Sequence, residues 1–370
     1  MIRRILRKIG FLPWLSKRKL ARRINAERNR EEKLVVELID PSCFTPLTTD
    51  EKLKVDALWG QLLPITSYKE YEFFKYASGF DPRYLSHHIY LPIVARLLND
   101  YKYTKIFDDK GLLGYLTSTK LKFPHCYVRH IESDYYSDDM QQMSLKDAIE
   151  VCSCQDELFI KPSKETSGGN GAERLCLKSL SKKDRMARIK LALSERDGDF
   201  VVQECLHQHQ VMAQFNASSV NSLRITTLLL NGKFTVCSTI LRFGKAGSTV
   251  DNWGAGGIAA KVEADGRVNP IGHDIHLHEY TRNGDCIFGE AVIKLLPSII
   301  EKIKDAHTHD FALCKFIGWD VAINREGEPV ILELNSSQPG VIAEQLVPGP
   351  IFGNRTQEVI DYCKTKNFTY

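Results

Sequence analysis

Near the C-terminal end of the chain, residues 318–340 read GWDVAINREGEPVILELNSSQPG, in which two apolar runs flank a polar stretch. Apolar runs on both sides of such a stretch predict a β-hairpin. A loop from Arg325 to Glu328 would place Asp320 directly opposite Glu333. Because side chains alternate with a period of two, Ile331 and Asn335 are expected on the same face as Glu333. The hairpin therefore presents several oxygen-bearing side chains on one face of a sheet.

Two carboxylates at this spacing indicate a bound cation. Facing carboxylates repel each other and shift each other's pKa unless a cation lies between them. Carboxylate and amide oxygens are hard ligands, which suit Mg²⁺ when phosphate oxygens complete its shell. We therefore predict Asp320, Glu333 and Asn335 as metal ligands. The alternative is a solvated sheet face that carries scattered charges.

The length and composition are those of a globular protein. A chain of 370 residues is long enough for two or three domains, each with its own core. No run of eighteen apolar residues occurs, and the start lacks the apolar segment and cleavage site of a signal peptide. The ten cysteines are scattered along the chain, which is typical of reduced thiols. These features predict a cytoplasmic protein.

Positive charge is concentrated in residues 1–30, which hold eleven Lys or Arg and one acidic residue. Ile2, Ile5 and Ile9 share one helical face of this arm, with basic residues on the other. Such a segment suits an anionic membrane surface, here the inner membrane, or the groove of a partner. It also suits a helix packed on its own domain. No nucleic-acid motif accompanies the basic run, so we expect no nucleic-acid partner.

Other patterns predict the surrounding elements. The segments SLRITTLLL and KFTVCSTILRF flank Asn231-Gly232, which is a strong hairpin signal. This turn would place Arg224 opposite residue 239, with Arg242 nearby. A long helix is predicted over 287–306, and His307 is expected at its exposed end.

A second informative stretch is LFIKPSKETSGGNGAERL, residues 158–175. A strand delivers Lys161, and a glycine-rich loop follows at Ser167, Gly168, Gly169, Asn170 and Gly171. Glycine lets backbone N–H groups approach phosphate oxygens, and the lysine adds a point charge. The pattern is not that of a P-loop. Farther along, FVVQECL at residues 200–206 predicts a buried strand ending at Glu204, whose edge can meet an adenine base.

The order of these parts resembles the ATP-grasp superfamily, and most closely its sugar-transfer-associated branch. The resemblance is carried by SVNSLRITTLL, LRFGKAGSTVDNWGAGGI and ELNSSQPG, and it covers roughly residues 65–355. It implies an α+β ATP-grasp fold with two subdomains that clasp ATP, at 151–215 and 216–370. A helical and mixed region at 36–150 and the basic arm at 1–35 would precede them.

The resemblance also implies roles for individual residues. Lys110 and Lys161 would bind phosphates, and the glycine-rich loop would close over them. The metal ligands would hold Mg²⁺ against the phosphates of ATP. The segment that meets adenine would be Gln203, Glu204, Cys205 and Leu206. The family's ribose-binding acid has no clear counterpart, so His209 or Gln210 would have to serve.

ATP-grasp ligases phosphorylate a carboxylate, and an amine then attacks the acylphosphate. The resemblance therefore implies a ligase that takes a carboxylate and an amine, acting on a bacterial surface polysaccharide or its precursor. Arg224 and Arg242 would be catalytic, with Asp251, Asn252 and the glycines of 254–257 on the acceptor side. An internal salt bridge is the other explanation for these arginines.

Two other functions are compatible with the same sequence. One is a kinase that phosphorylates a hydroxyl group, because some ATP-grasp relatives are kinases. The other is a catalytically silent scaffold that docks at the membrane through the basic arm.

Overall fold

The computed structural model describes residues 22, 24–30, 32–33, 36–37, 39–118, 120–164, 171–245, 253, 256–346 and 348–366. The chain divides into two compact units, one formed by residues 1–100 and 349–370 and the other by residues 101–348. No helix within the described ranges combines the length and apolar content that are needed to cross a bilayer. Most of the predicted basic arm lies outside the described residues, and its role stays a prediction.

The first unit is helical. Its helices include α1 (Thr49–Trp59), α2 (Lys69–Ser78), α3 (His87–Ile89), a π-helical turn (Tyr90–Val94), α4 (Ala95–Leu98) and, from the C-terminal segment, α11 (Thr356–Lys364). Thr48 and Glu51 form a capping box at the start of α1. Tyr71, Phe73 and Phe74 are buried, so the aromatic stretch of α2 contributes to a core.

The second unit contains two antiparallel sheets, as expected for two α+β subdomains. The first has six strands in the order β3-β2-β1-β6-β4-β5. Its strands are β1 (Cys126–Ile131), β2 (Asp134–Tyr136), β3 (Gln142–Met143), β4 (Glu157–Pro162), β5 (Glu173–Cys176) and β6 (Phe200–Gln203). Helices α6 (Leu145–Ser153) and α7 (Lys182–Ser194) bury apolar side chains against it. Before this sheet come α5 (Tyr101–Thr104) and a 3₁₀ turn (Lys105–Asp108).

The second sheet has seven strands in the order β11-β10-β9-β8-β7-β14-β15. Its strands are β7 (Ser222–Leu230), β8 (Lys233–Phe243), β9 (Ile258–Val262), β10 (Val268–His273), β11 (Glu279–Tyr280), β14 (Phe316–Ile323) and β15 (Pro329–Asn335). The remaining elements of this region are α8 (Gln210–Ala213), the hairpin of β12 (Arg282–Asn283) and β13 (Cys286–Ile287), α9 (Leu296–His309) and α10 (Ala343–Leu346). The predicted β7–β8 turn is confirmed: Asn231 and Gly232 have φ values of 52° and 73°, as a primed turn requires.

The helix predicted over 287–306 was wrong at its N-terminal end. A 3₁₀ turn at Phe288–Glu290 comes first, and α9 begins at Leu296 with Pro297 in its first turn. The backbone between the 3₁₀ turn and α9 pairs with another segment of the chain, because Ile293 N donates to Gly266 O at 2.7 Å. Gly266 has a φ of +90°, and a Cβ there would lie 2.2 Å from Ile293 O. This close approach of two backbones fixes residues 291–293 outside the helix.

The prediction that His307 lies at an exposed helix end was also wrong, because its side chain is fully buried. Its Nε2 donates to Cys314 O at 2.8 Å, which leaves Nδ1 to accept from Thr227 Oγ1 at 2.9 Å. Trp319 Nε1 in turn donates to Thr227 Oγ1. Burial lowers the pKa of His307 from 6.5 to about 4. The imidazole is therefore held neutral as part of the core.

We expect this histidine to make stability pH-dependent. Its folded pKa lies below its unfolded value, so the unfolded chain binds more protons, and stability is lost as the pH falls from 6.5 towards 4. Between pH 6.5 and pH 4, the free energy of unfolding of wild type should therefore fall by about 3 kcal/mol relative to that of His307→Leu, which has no imidazole to protonate. Urea unfolding at several pH values measures it. A constant difference would contradict the neutral, buried imidazole.

Candidate functional site

The strand pairing of β14 and β15 places the predicted metal ligands as expected. Asp320 pairs with Glu333, and Gly318 pairs with Asn335. A β-bulge follows, because Val321 pairs with Ile331 and Leu332 is the extra residue. The expectation that Ile331 shares the face of Glu333 was wrong for this reason, and Ile331 is buried in the main core.

Strand β7 lies on the other side of β14 and pairs Arg224 with Asp320. Arg224, Asp320 and Glu333 therefore form one row across three strands. Arg224 pairs with Ile240 on β8, and the predicted pairing with residue 239 was wrong by one position. A bulge between Thr226 and Thr227 shifts the register.

Arg224 is the centre of a buried ion-pair network. Its Nε donates to Oδ1 of Asp320, and its Nη2 donates to Oδ2 at 2.9 Å. Its Nη1 donates to Glu344 Oε1 at 3.0 Å. Arg242 Nη2 reaches Asp320 Oδ2 at 3.1 Å and donates to Ser222 Oγ at 3.0 Å. The salt bridge considered from the sequence is thus present, and its carboxylate partner is itself a candidate metal ligand.

Each charged group of this network stabilises the charged form of its partners. Burial alone would raise the pKa of Asp320, but Arg224 and Arg242 outweigh it and hold the pKa well below its usual range. Burial likewise opposes the charge of Arg224, whose pKa is nevertheless raised by Asp320 and Glu344. Both groups are therefore charged at neutral pH.

The two predicted lysines also reach the hairpin. Lys110 Nζ lies 3.0 Å from Glu333 Oε2, and Lys110 N donates to Ser163 O at the end of β4. Lys161, on β4, donates from Nζ to Leu332 O at 3.3 Å. The ammonium groups of both lysines thus contact strand β15, which belongs to the seven-stranded sheet.

Asp108 anchors the segment that follows β15. It accepts hydrogen bonds from Ser336 N and Ser336 Oγ, each at 2.6 Å, and from Ser337 N at 3.1 Å. Asn335, the last residue of β15, comes directly before this segment, and its Nδ2 is buried and has no hydrogen-bond partner in the described part of the chain. Asp108 lies two residues before Lys110, but the sequence around it gave no signal of this anchoring role.

Gly340 allows helix α10 to approach Arg224. A Cβ at Gly340 would lie 3.1 Å from Glu344 Oε1 and 3.3 Å from Arg224 Nη1. Glu344 is only 4% exposed. Sequence reasoning missed this residue, although an acid four positions after a Pro-Gly pair in an otherwise uncharged stretch was an available signal.

The predicted adenine-binding segment follows strand β6, which ends at Gln203, one residue before the predicted end. Gln203 Oε1 is buried without a hydrogen-bond partner among the described residues. Glu204 pairs with the backbone of His125, since Glu204 N donates to His125 O and His125 N donates to Glu204 Oε1, each at 2.9 Å. Cys205 and Leu206 follow and are half-buried.

Of the two candidates for ribose binding, His209 is engaged as the N-cap of α8, where its Nδ1 accepts from Val211 N. Gln210 is exposed.

In the predicted phosphate loop, Ser167, Gly168, Gly169 and Asn170 lie outside the described residues, as do Asp251, Asn252 and Gly254 on the acceptor side. Gly171 is described and has a φ of +75°.

Comparison with known proteins identifies the family. The model of the sugar-transfer-associated ATP-grasp family matches residues 94–361, which confirms the resemblance drawn from the sequence. No curated protein matches the chain.

Solved structures were also found to be similar. D-alanyl-alanine synthetase A from Vibrio cholerae is 12% identical with a TM-score of 0.38, and the match covers 70% of this chain and 64% of that one. D-cycloserine synthetase DcsG is 12% identical with a TM-score of 0.41, covering 72% and 73%. A biotin carboxylase from Campylobacter jejuni is 10% identical with a TM-score of 0.43, covering 72% and 48%. The chain thus spans less than two-thirds of the length of the first and third of these proteins.

The family match extends over well over half of the chain and includes both sheets and every residue of the Arg224 network. This protein has the ATP-grasp fold and belongs to the sugar-transfer-associated ATP-grasp family.

Proposed function

We propose that this protein is an ATP- and Mg²⁺-dependent ligase that joins a carboxylate to an amine in the synthesis or modification of a bacterial surface polysaccharide. The observation that carries the proposal is the convergence of Arg224, Asp320 and Glu333 in one row of the sheet, with Lys110 and Lys161 beside it. The family match supports ATP as the nucleotide.

The residues present fit a magnesium nucleotide. Asp320, Glu333 and Asn335 offer only oxygen ligands from the protein, and Mg²⁺ commonly takes one or two carboxylates and completes its shell with phosphates and water. In the described part of the chain no three His, Cys, Asp or Glu side chains converge on one point, so an all-protein cage is not formed there. Bound Mg²⁺ would supply charge neutralisation at the phosphates.

The cationic side chains outnumber the carboxylates around this point. Lys110, Lys161, Arg224 and Arg242 lie among Asp320, Glu333 and Glu344. An excess of positive charge among partly buried side chains favours a polyanion such as a triphosphate. The unpartnered Asn335 Nδ2 and Gln203 Oε1 are further polar groups that a nucleotide would satisfy.

In the proposed reaction a substrate carboxylate oxygen attacks the γ-phosphorus of ATP, and ADP leaves. The amine then attacks the acyl carbon, phosphate leaves, and the amine proton is released. Lys110 and Lys161 would hold the phosphates in place, and Arg242 with Arg224 would stabilise the charge that develops on the transferred group. Lys161, Arg224 and Arg242 are fixed on strands, which suits a reaction in which positioning is the protein's main task.

Hydroxylamine trapping tests the proposal. Purified protein with MgATP, hydroxylamine as the amine and a panel of uronic acids and amino acids as carboxylates should release ADP and form a hydroxamate with at least one acid. Phosphorylated acceptor without hydroxamate would establish a kinase instead. Binding of ATP without turnover across broad panels of acids, amines and hydroxyl acceptors would favour the scaffold.

The binding of ATP should weaken as the pH rises through 8. Desolvation and the neighbouring Lys110 lower the pKa of Lys161 to about 8, although Glu333 opposes the shift. Deprotonation removes the charge that meets the phosphates, so the Kd for MgATP should rise by up to about tenfold per pH unit above 8. Calorimetry from pH 7 to 9.5 on wild type and Lys161→Arg measures this. The arginine variant should show a flat profile, and equal profiles for both proteins would contradict the assignment.

A further inference from the structure

The carboxylate of Asp320 is committed to arginine side chains on both oxygens. Oδ1 accepts from Arg224 Nε, and Oδ2 accepts from Arg224 Nη2 and lies 3.1 Å from Arg242 Nη2. A carboxylate oxygen has two lone pairs, so Oδ2 is saturated. Oδ1 keeps one lone pair, but a metal cation that approaches either oxygen meets a guanidinium cation, so ligation by Asp320 is favoured when Arg224 gives up part of its hold.

Releasing Arg224 from Asp320 creates a problem of its own. The Arg224 side chain is only 9% exposed, and a buried guanidinium without a carboxylate partner is costly. Glu344 removes this problem, because it accepts from Nη1, the one guanidinium nitrogen that does not bind Asp320. Asp320 thus accepts from Nε and Nη2 of the Arg224 guanidinium, and Glu344 accepts from Nη1.

Helix α10 holds Glu344 in this position independently of Asp320. Ala343 packs with Ile240 and Ala259 in a small apolar cluster, and Trp253 packs against it. Gln345 Nε2 donates to Val341 O at 2.8 Å. The carboxylate that keeps Arg224 is thus fixed by packing on β8 and β9, away from the hairpin that carries the metal ligands.

We propose that Glu344 is a positioning residue that retains Arg224 when Asp320 turns to a metal ion. The inference rests on the proposed function, because it takes the hairpin as a magnesium site. Glu344 draws the guanidinium away from Asp320 and so lowers the cost of metal ligation. It also keeps the freed Nε edge of Arg224 beside the transferred group.

Loss of the Glu344 charge should therefore raise the magnesium requirement. In Glu344→Gln the Arg224 guanidinium has Asp320 as its remaining carboxylate partner among the described contacts, so their pairing tightens and competes with Mg²⁺. Coupling between neighbouring charges of this kind predicts an increase of about tenfold in the Mg²⁺ concentration that gives half-maximal ATP binding. Glu344→Asp retains the charge and should stay within about threefold of wild type.

Calorimetric titration of ATP binding at a series of Mg²⁺ concentrations provides the test, with Glu301→Gln on the exposed face of α9 as the matched control. An unchanged requirement in Glu344→Gln, with ATP binding intact in wild type, would overturn the inference and leave the proposed function standing. Failure of wild type to bind MgATP would instead overturn the proposed function.

A double variant covers the case in which Glu344→Gln does not fold. If Glu344 acts through Arg224, the variant Arg224→Gln with Glu344→Gln should need the same Mg²⁺ concentration as Arg224→Gln alone. A higher requirement in the double variant would mean that Glu344 acts on the metal site directly, which would overturn the positioning role.

Discussion

Replacement of Asp320 by Asn should abolish magnesium-dependent ATP binding and lower the free energy of unfolding by about 3–5 kcal/mol. Asp320 is 3% exposed and is the carboxylate that Arg224 and Arg242 share. Its loss leaves two partly buried cations with Glu344 as their remaining carboxylate in the network. The same substitution removes a candidate metal ligand, so stability and ligand binding should fall together.

Urea unfolding and calorimetry with MgATP measure the two effects of Asp320→Asn. Asp265→Asn, on the exposed β9–β10 turn, is the matched control and should stay within about 0.5 kcal/mol of wild type. A stable Asp320→Asn protein that binds MgATP normally would contradict both roles of the carboxylate.

The substitution Lys161→Met should weaken the binding of MgATP without lowering the free energy of unfolding. The ammonium group of Lys161 is desolvated and, among the described residues, donates to the neutral carbonyl Leu332 O, so the charge contributes little to the folded state. Methionine fills a similar volume without the charge. We expect the affinity for MgATP at pH 7 to fall about 10- to 100-fold, as for loss of a hydrogen bond to a charged group, while the unfolding free energy stays equal or rises.

Lys183→Met is the control for this prediction, because Lys183 is exposed on α7 and lies outside the site. Equal affinities in wild type and Lys161→Met would exclude Lys161 from nucleotide binding. A large loss of stability in Lys161→Met would instead show that the ammonium group serves mainly to hold β4 against β15.

The pattern of the sequence predicted the site's strands well and their register less well. Asp320 opposite Glu333 follows from alternation and a short loop, and the structure confirms it. Ile331 and the partner of Arg224 were misplaced because bulges insert Leu332 and Cys237, and a bulge leaves no clear trace in an apolar run. In β7–β8 the predicted register holds from the turn to Thr227 and fails beyond the bulge, whereas in β14–β15 it fails between the turn and the bulge and holds beyond it.

Contacts between distant segments were the part that local pattern could not supply. Glu344 meets Arg224 across 120 positions of the sequence, and Asp108 meets Ser336 across 228. Helix α9 begins late because the backbone of Ile293 is paired with Gly266, a tertiary contact that overrides helical propensity. The burial of His307 has the same origin, since it bonds Thr227 on strand β7 as well as Cys314 in the loop that follows α9.

The central claim is that the β14–β15 hairpin binds a magnesium nucleotide, and calorimetry on wild type and Glu333→Gln tests it most directly. Glu326→Gln, exposed in the loop of the same hairpin, is the control. We expect wild type and Glu326→Gln to bind ATP more tightly with Mg²⁺ than without it, and Glu333→Gln to lose this gain. Equal ATP binding by Glu333→Gln and wild type at every Mg²⁺ concentration would contradict it.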